Sequence, residues 1–302
     1  ILRAAGDTKS PLVFLSIAGL VNVVLNVFFV TMLHMNVAGV ALATTISQGV
    51  SAALVIWALM RRTDACRFAF KKMRFYGLQM GKILRIGLPA GIQSSLFAIS
   101  NVLIQSSINS FGDVFVAGNA ASANIEGFVY MAMNSFYQAT ISFTSQNYGA
   151  RQYSRVKQVF WKTAMSATVV TMICFLISMF IPRAATGIFT HDRELLDIAE
   201  KGLRILGLGL PTVGFQMITT NFFQSLGMIR RSVLLSLSRQ IIFLIPALYL
   251  LPLWIGAEGI WLSYPVSDVL SFLLSAIMLR SLFKKFNILK DGGDPSILGG
   301  NI

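Results

Sequence analysis

Charged residues are scarce in this sequence. Asp, Glu, Lys and Arg make up 12% of the 302 residues, whereas hydrophobic residues make up 55%. Soluble domains usually carry about a quarter charged residues, and a soluble core could not enclose so large an apolar fraction. Lipid accepts apolar side chains on the outside of every helix. The shortage of charge therefore argues against a soluble domain and indicates a protein embedded in a bilayer.

Acidic residues are scarcer than basic ones, and the formal net charge is +13. In a soluble protein this excess would suggest a nucleic-acid partner. Here the basic residues lie in short connectors between apolar runs and form no aromatic-interleaved basic face. The densest group is Arg61, Arg62, Arg67, Lys71, Lys72 and Arg74. We therefore predict no nucleic-acid partner and attribute the charge to membrane topology.

Cysteine and histidine are also rare, with two of each. Cys66 lies in a basic connector and Cys174 in an apolar run, so they imply no disulfide framework. His34 and His191 have no partner at metal-ligand spacing. The sequence has no Ser–His–Asp arrangement, phosphate-binding glycine loop or paired catalytic carboxylates. We therefore predict no enzymatic activity, no metal site and no cofactor.

Long apolar runs dominate the sequence. Eight are long enough to cross about 30 Å of hydrocarbon at about 1.5 Å per residue. They cover residues 12–33, 37–60, 84–110, 115–147, 157–181, 200–226, 232–253 and 257–280. The fourth is too long for one perpendicular span, so we expect it to tilt or to contain an interfacial turn. The predicted fold class is an all-α, polytopic membrane bundle.

The distribution of basic residues predicts how the chain threads the membrane. With connectors alternating between the two sides, all but four of the 25 Lys and Arg residues fall on one side. The exceptions are Arg183, Arg193, Lys201 and Arg204. Cytoplasmic loops carry an excess of Lys and Arg. We therefore predict a multi-pass protein of the cell membrane whose basic loops and C-terminus are cytoplasmic.

Two parts of the sequence resemble each other at a separation of about 220 residues. Gly6–Ser10 precedes two spans joined near Gly39, and Gly227–Ser232 precedes two spans joined near Gly259. Transporters commonly consist of two related bundles. We predict the end of a first lobe in 1–62, a cytoplasmic linker in 63–83, a complete six-helix lobe in 84–285 and a polar tail in 286–302.

Six motifs resemble the multidrug and toxic compound extrusion (MATE) family. They are Leu2–Pro11, Asn22–Asn26, Gly39–Thr44, Gly87–Pro89, Gln146–Ala150 and Gly256–Pro265. The resemblance implies twelve helices in two six-helix lobes, of which this chain supplies helices five to twelve. The sequence also opens without an initiator Met and within a motif, so we expect an N-terminally truncated chain that does not transport alone.

The resemblance also implies an activity and a cation site. MATE proteins export small organic, often cationic, compounds in exchange for Na⁺ or H⁺, and we expect a monomer. The cation site of one branch corresponds here to Asn22, Asn26 and Thr44, with Asn26 at a position that is usually Asp. The acidic residues of another branch fall near Phe97 and Phe215, so that second site is not implied. From spacing alone, Asn22 and Asn26 share a helix face that binds a cation or packs against a helix.

Polar side chains recur every four residues within three of the spans. Because this spacing drifts by about 40° per step, neighbouring members share a helix face. Amides facing lipid would cost several kcal/mol each, so the faces should line a hydrated substrate cavity or pack against other helices. The candidate cavity residues are Asn101, Gln105, Tyr130, Asn134, Gln138, Gln216, Thr220 and Gln224.

Three ionisable residues fall inside spans, where charges are costly and often functional. Arg239 and Asp268 lie at similar depths on helices joined by a short connector, so we predict a structural ion pair. Glu126 has no such partner in the sequence. It is the candidate for proton coupling, with an interfacial or capping role as the alternative.

Two other functions are compatible with this composition. A lipid-linked precursor flippase of related architecture should have a strongly cationic cavity to hold a pyrophosphate, whereas the stripes here consist of amides together with Glu126. A non-transporting membrane binding or sensor protein would need an attached soluble domain. We therefore favour a secondary active exporter.

The topology predicts that loops 61–85 and 183–199 lie on opposite sides of the membrane. A membrane-impermeant reagent applied to one face should label one loop and leave the other untouched. Labelling of both loops from the same compartment would contradict the assignment of all eight spans.

Overall fold

The computed structural model describes residues 2–3, 6–63, 67–69 and 74–288. The described residues form helices and connecting turns and contain no strand. The α-helices are α1 Lys9–Val27, α2 Asn36–Arg61, α3 Gly77–Asn109, α4 Asp113–Gly149, α5 Tyr153–Phe180, α6 Pro182–Thr186, α7 Arg193–Gly207, α8 Leu210–Ser225, α9 Ile229–Leu237, α10 Ile245–Ile255 and α11 Glu258–Ile288. Two π-helical segments, Phe28–Met32 and Ser238–Leu244, continue α1 and α9. The predicted all-α class is confirmed.

The chain divides into two compact units, Ile1–Gly77 and Leu78–Ile302. In the first unit α1 packs against α2, and in the second α4 packs against α5, α7 and α8 while α11 packs against α8 and α10. Helix α3 begins at Gly77, seven residues before the predicted third span. The lobe, linker and tail boundaries stay predictions. Residues 289–302 of the predicted tail and parts of the predicted linker lie outside the described residues.

Six helical stretches of the described chain are long and apolar enough to cross a membrane. They correspond to six of the eight predicted spans, including the two that contain π-helical segments. Their large apolar side chains are extensively exposed, for example Leu20 and Val102 at 69% and 68%. A water-soluble surface would not tolerate such continuous apolar faces. The chain is therefore a multi-pass membrane protein.

The other two predicted spans are helical but differ in form. The fourth is the single uninterrupted helix α4, whose 37 residues exceed the roughly 20 that cross a bilayer. No interfacial turn interrupts it. The sixth is divided into α7 and α8 at Leu208 and Gly209. Pro211 lies in the first turn of α8 and has no N–H to bond the preceding turn, so a new helix begins there.

A second proline accompanies the π-helical segment Ser238–Leu244. Pro246 lies at the start of α10 and cannot donate a hydrogen bond to the carbonyl of Ile242. The wider π-helical turn accommodates the missing donor, and such turns often occur at functional sites. This segment contains Arg239, one of the three ionisable residues predicted within spans.

The loop before α1 shows why its motif has this composition. Gly6 has φ +85°, which favours glycine. Asp7 accepts hydrogen bonds from Ser10 N at 3.0 Å and from Ser10 Oγ at 2.7 Å, and lies 3.8 Å from Arg62 at the end of α2. These hydrogen bonds hold the pKa of Asp7 below its ordinary value. The loop thus fastens the start of α1 to the end of α2.

The two regions identified as an internal repeat share backbone geometry. Positive φ angles occur at Gly6 and Gly227, and again at Asn36 and Gly256. A Cβ atom on Gly259 would lie 2.6 Å from the backbone of Leu251 and Pro252. Gly39 has the matching position in the first unit, where a Cβ would lie 2.9 Å from Phe29 Cβ. Both glycines let a helix pack closely against the one before it.

The close approach at Gly259 predicts that Gly259→Ala destabilises the protein. The added methyl group would push apart two backbones, and overpacking of this kind costs about 1–3 kcal/mol. Gly91→Ala is the matched control, because nothing lies within 4 Å of its Cβ position and alanine favours helix by up to about 1 kcal/mol. The free energy of unfolding in detergent micelles should fall for the first variant only. Equal stability of the two variants would contradict the packing assigned here.

Candidate functional site

The candidate cation residues of the first unit lie together between α1 and α2. Asn22 Nδ2 donates to Ser47 Oγ at 3.2 Å and approaches Thr44 Oγ1 at 3.4 Å. Asn26 Nδ2 donates to Asn22 Oδ1 at 2.9 Å. The structure therefore brings together all three residues that the resemblance implied and adds Ser47, whose hydroxyl was not predicted.

One oxygen of this cluster is available for a ligand. Asn26 Oδ1 is buried and accepts no hydrogen bond from the described residues. The Thr44 and Ser47 hydroxyls donate to Val40 O and Thr44 O, respectively. Carbonyl and hydroxyl oxygens are the ligands that hard cations prefer. The cluster offers such oxygens without a carboxylate, and its role in cation binding stays a prediction.

The second unit contains a cavity of about 500 Å³. It is bounded by α3, α4, α8, α9 and the π-helical segment that follows α9. Amides, hydroxyls, aromatic rings and one guanidinium lie side by side on its wall. The lining residues are Ala90, Gln93, Ser94, Phe97, Tyr130, Asn134, Tyr137, Gln216, Met217, Thr220, Asn221, Gln224, Ser236 and Arg239. We call this the amide cavity.

Five of the eight predicted cavity residues line the amide cavity: Tyr130, Asn134, Gln216, Thr220 and Gln224. Gln138 does not, and Tyr137, seven residues after Tyr130 on α4, lines the cavity in its place. Asn101 and Gln105 also lie elsewhere, two and three turns beyond Gln93 on α3, and Gln105 donates to Asn109 at 2.9 Å. The role of all eight in substrate binding stays a prediction.

Several lining residues were not predicted. Gln93 and Phe97 precede Asn101 at the same four-residue spacing, so extending the stripe backwards on α3 would have identified them. Gln93 Nε2 donates to Ser236 Oγ, which joins α3 to α9 across the wall. Asn221 adjoins Thr220, but no periodic signal distinguishes it. Tyr137 and Met217 lie outside the four-residue spacing, so that pattern did not identify them.

Arg239 and Asp268 form a buried ion pair in the second unit. Arg239 Nε donates to Asp268 Oδ1 at 2.6 Å, and Arg239 Nη2 donates to Tyr130 Oη at 3.3 Å. Asp268 is 4% exposed. A Cβ atom on Gly209 would lie 2.7 Å from Asp268 Oδ2, so the glycine at the α7–α8 break leaves room for the carboxylate. The pair lies where the sequence predicted, although a purely structural role is untested.

Glu126 extends this group of polar side chains by one turn of α4. Its carboxyl lies close enough to the Tyr130 side chain, Arg239 and Asp268 to interact electrostatically with each of them. Tyr130 therefore joins Glu126 to the ion pair, and Tyr130 and Arg239 both contribute to the wall of the amide cavity. Tyr130 accepts a hydrogen bond from Arg239 and neighbours Glu126 on α4, so it lies between the ion pair and this carboxyl. We call these four side chains the polar network.

Six apolar helical stretches of the described chain and a polar cavity in the second unit are features of a multi-pass membrane protein. The MatE family profile matches residues 89–250, which is more than half of the chain. The chain belongs to the MatE family, a family of transporters, as the sequence motifs indicated.

Curated relatives extend this similarity over nearly the whole chain. The probable multidrug resistance protein YpnP of Bacillus subtilis (strain 168) is 24% identical over 271 residues, which are 90% of this chain and 60% of that protein. The multidrug export protein MepA of Staphylococcus aureus (strain bovine RF122 / ET3-1) is 21% identical over 286 residues, which are 95% of this chain and 63% of MepA. The chain thus spans less than two thirds of the length of these relatives.

Solved structures show the same fold. A MOP superfamily transporter from Pyrococcus furiosus matches with a TM-score of 0.86 and 20% identity over 95% of this chain and 65% of that chain. A mutant of the Vibrio cholerae MATE transporter VcmN matches with a TM-score of 0.86 and 20% identity over 94% of this chain and 64% of that chain. The predicted MATE-type architecture is confirmed.

The ion pair predicts unequal effects of removing its two charges. Arg239→Gln should destabilise by about 3–5 kcal/mol, because it leaves a buried carboxylate without its cation. Asp268→Asn should cost less, because Arg239 still lines the amide cavity and still donates to Tyr130. The double variant should recover part of the loss. The measurement is the free energy of unfolding in micelles.

The control for this prediction is the exposed pair of Arg204 and Glu200, whose Nη2 and Oε1 atoms lie 2.9 Å apart. Arg204→Gln should cost about 0–1 kcal/mol. If Arg239→Gln is as mild as this control, or if the double variant is the least stable of all, the buried pair does not stabilise this unit.

Proposed function

We propose that the protein to which this chain belongs is a secondary active exporter. It moves organic, cationic or amphiphilic compounds out of the cell in exchange for Na⁺ or H⁺ by alternating access. The amide cavity is the observation on which this proposal rests. Membership of a transporter family supports it, as do relatives named as multidrug resistance and export proteins.

The amide cavity suits chemically varied organic molecules. Its volume of about 500 Å³ lies within the range of roughly 300–1,000 Å³ typical of sites for drug-sized ligands. Phe97, Tyr137 and Met217 offer adaptable apolar contacts. The neighbouring amides and hydroxyls both donate and accept hydrogen bonds, so they favour no single functional group.

Two places are candidates for coupling transport to an ion. Na⁺ would bind at Asn22, Asn26 and Thr44, where the buried Asn26 Oδ1 supports the assignment. H⁺ would bind at Glu126, whose contact with Tyr130 links it to the wall of the amide cavity. We favour Glu126, because a carboxylate changes charge when it takes up a proton, whereas the amides of the first unit do not titrate.

The charge of the cavity weighs against a flippase for lipid-linked precursors. A site for a pyrophosphate should present several cations. Among the described residues that line the amide cavity, Arg239 is the one cation, and its charge is offset by Asp268 at 2.6 Å. A neutral, amide-rich wall favours an exporter of organic compounds. The proposed orientation places the basic loops in the cytoplasm, where substrates would enter.

Reconstituted transport tests the proposal. The protein is expressed together with any coding sequence upstream of residue 1, and efflux of a fluorescent organic cation from proteoliposomes is driven by a pH step or a Na⁺ step. We expect the pH step to drive efflux and Glu126→Gln to lose at least tenfold of that rate. Glu194→Gln is the matched control, because it removes an exposed carboxyl at the start of α7, and it should transport normally.

The response to the two gradients, together with the variants, identifies the coupling site. Efflux driven by the Na⁺ step alone, and lost in Asn26→Ala, would transfer the coupling site to the first unit and remove Glu126 from it. Absence of efflux under both gradients, with the parent protein correctly folded, would contradict the proposed function.

A further inference from the structure

A second cavity, of about 230 Å³, lies in the same unit among α4, α5, α7 and α8. It shares no lining residue with the amide cavity. Its wall is almost entirely apolar and includes one carboxyl group. The lining residues are Ile125, Glu126, Phe128, Val129, Ala132, Cys174, Ile177, Ser178, Leu203, Leu206, Gly207 and Leu210. We call this the apolar cavity.

The chemistry of the apolar cavity is set by Glu126. Among its described lining residues, Glu126 alone carries a formal charge. The Ser178 hydroxyl donates to Cys174 O at 2.9 Å and is therefore satisfied within its own helix. A single carboxylate thus faces a wall of aliphatic and aromatic side chains. A part-buried carboxyl in such surroundings is stabilised either by taking up a proton or by pairing with a cation.

The nearby cation does not pair with Glu126. Arg239 bonds to Asp268 at 2.6 Å and lines the amide cavity instead. Its influence on Glu126 is opposed by that of Asp268, and no ion pair within the described part of the chain includes Glu126. Tyr130 is a neutral neighbour of Glu126 and supplies no charge. The carboxylate therefore has room for a cation on the side of the apolar cavity.

The apolar cavity also reaches the surface of its unit. Two of its lining residues, Phe128 and Ile177, are 64% and 41% exposed. Both are apolar side chains on long membrane helices, so a lipophilic molecule meets no charged barrier at this opening. The volume is below the roughly 300 Å³ at which sites for drug-sized ligands begin. A suitable ligand is therefore small, such as a single ring with a short chain.

We propose that the apolar cavity is a binding site for a small lipophilic ammonium ion, whose charged head pairs with Glu126 while its apolar body packs against α5 and α7. This site is separate from the amide cavity and does not depend on transport. The ammonium supplies both the missing charge and the hydrogen-bond donors that the carboxylate can accept. A neutral molecule of the same shape would fill the space and leave the charge unpaired.

Binding to the purified 302-residue chain in detergent tests the site directly, because it needs no ion gradient. The probe is radiolabelled phenethylamine at mildly alkaline pH, at which the amine stays protonated, and bound probe is measured by equilibrium dialysis. We expect saturable binding to one site. Unlabelled phenethylamine should displace the probe at least tenfold more effectively than the neutral 2-phenylethanol.

Two variants test whether the bound amine lies in the apolar cavity. Glu126→Gln should weaken binding at least tenfold, and Ala132→Phe should do so as well by filling the apolar cavity while the carboxyl remains. Glu194→Gln should bind as the parent does, because it removes only an exposed acid. Size-exclusion chromatography checks that each variant folds.

Three results would overturn the proposal: no saturable binding to the parent chain, equal displacement by the amine and the alcohol, or undiminished binding by Ala132→Phe. The comparison of amine with alcohol uses the parent chain alone and so remains decisive if a variant fails to fold. Failure here would leave the proposed exporter intact, and loss of gradient-driven efflux would leave the binding site intact.

Discussion

The ion pair between Arg239 and Asp268 is the interaction on which the polar centre of the second unit depends. Within a membrane bundle an unpaired charge is costly, so each member of this pair stabilises the other. The π-helical segment before Pro246 carries Arg239, and the break before Pro211 provides Gly209, which leaves space for Asp268. Two prolines thus shape the backbone on both sides of one ion pair.

The pair also places the two cavities of this unit on either side of one polar network. Tyr130 contacts Arg239 and lines the amide cavity, whereas Glu126, one turn earlier on α4, lines the apolar cavity. The two spaces differ in chemistry because one wall carries amides and the other does not. A change in charge at Glu126 therefore alters the electrostatic environment of both cavities, because Tyr130 lies next to Glu126 and lines the amide cavity.

Much of this arrangement was predictable from the sequence, for physical reasons. Apolar runs of bilayer length reveal membrane helices, and depth along adjacent helices identified the partner of Arg239. Four-residue spacing identified Tyr130 and Asn134, because close neighbours share a helix face. It failed for Gln138, because on α4 the seven-residue spacing from Tyr130 to Tyr137 follows the cavity wall instead. The division of the sixth span into two helices was not predicted from its apolar run, because hydropathy is blind to the missing N–H of Pro211, although that proline can be recognised in the sequence as a possible kink.

Cysteine accessibility tests most directly the proposal that the amide cavity is a water-filled passage for organic cations. Ser94→Cys is introduced on the cavity wall of a variant whose native cysteines have been replaced. A water-soluble thiol reagent should modify this cysteine, and tetraphenylphosphonium should slow the reaction. Val102→Cys, on an exposed apolar part of the same helix, should be unreactive. An unreactive Ser94→Cys, or one that reacts equally fast with and without the organic cation, would contradict the account.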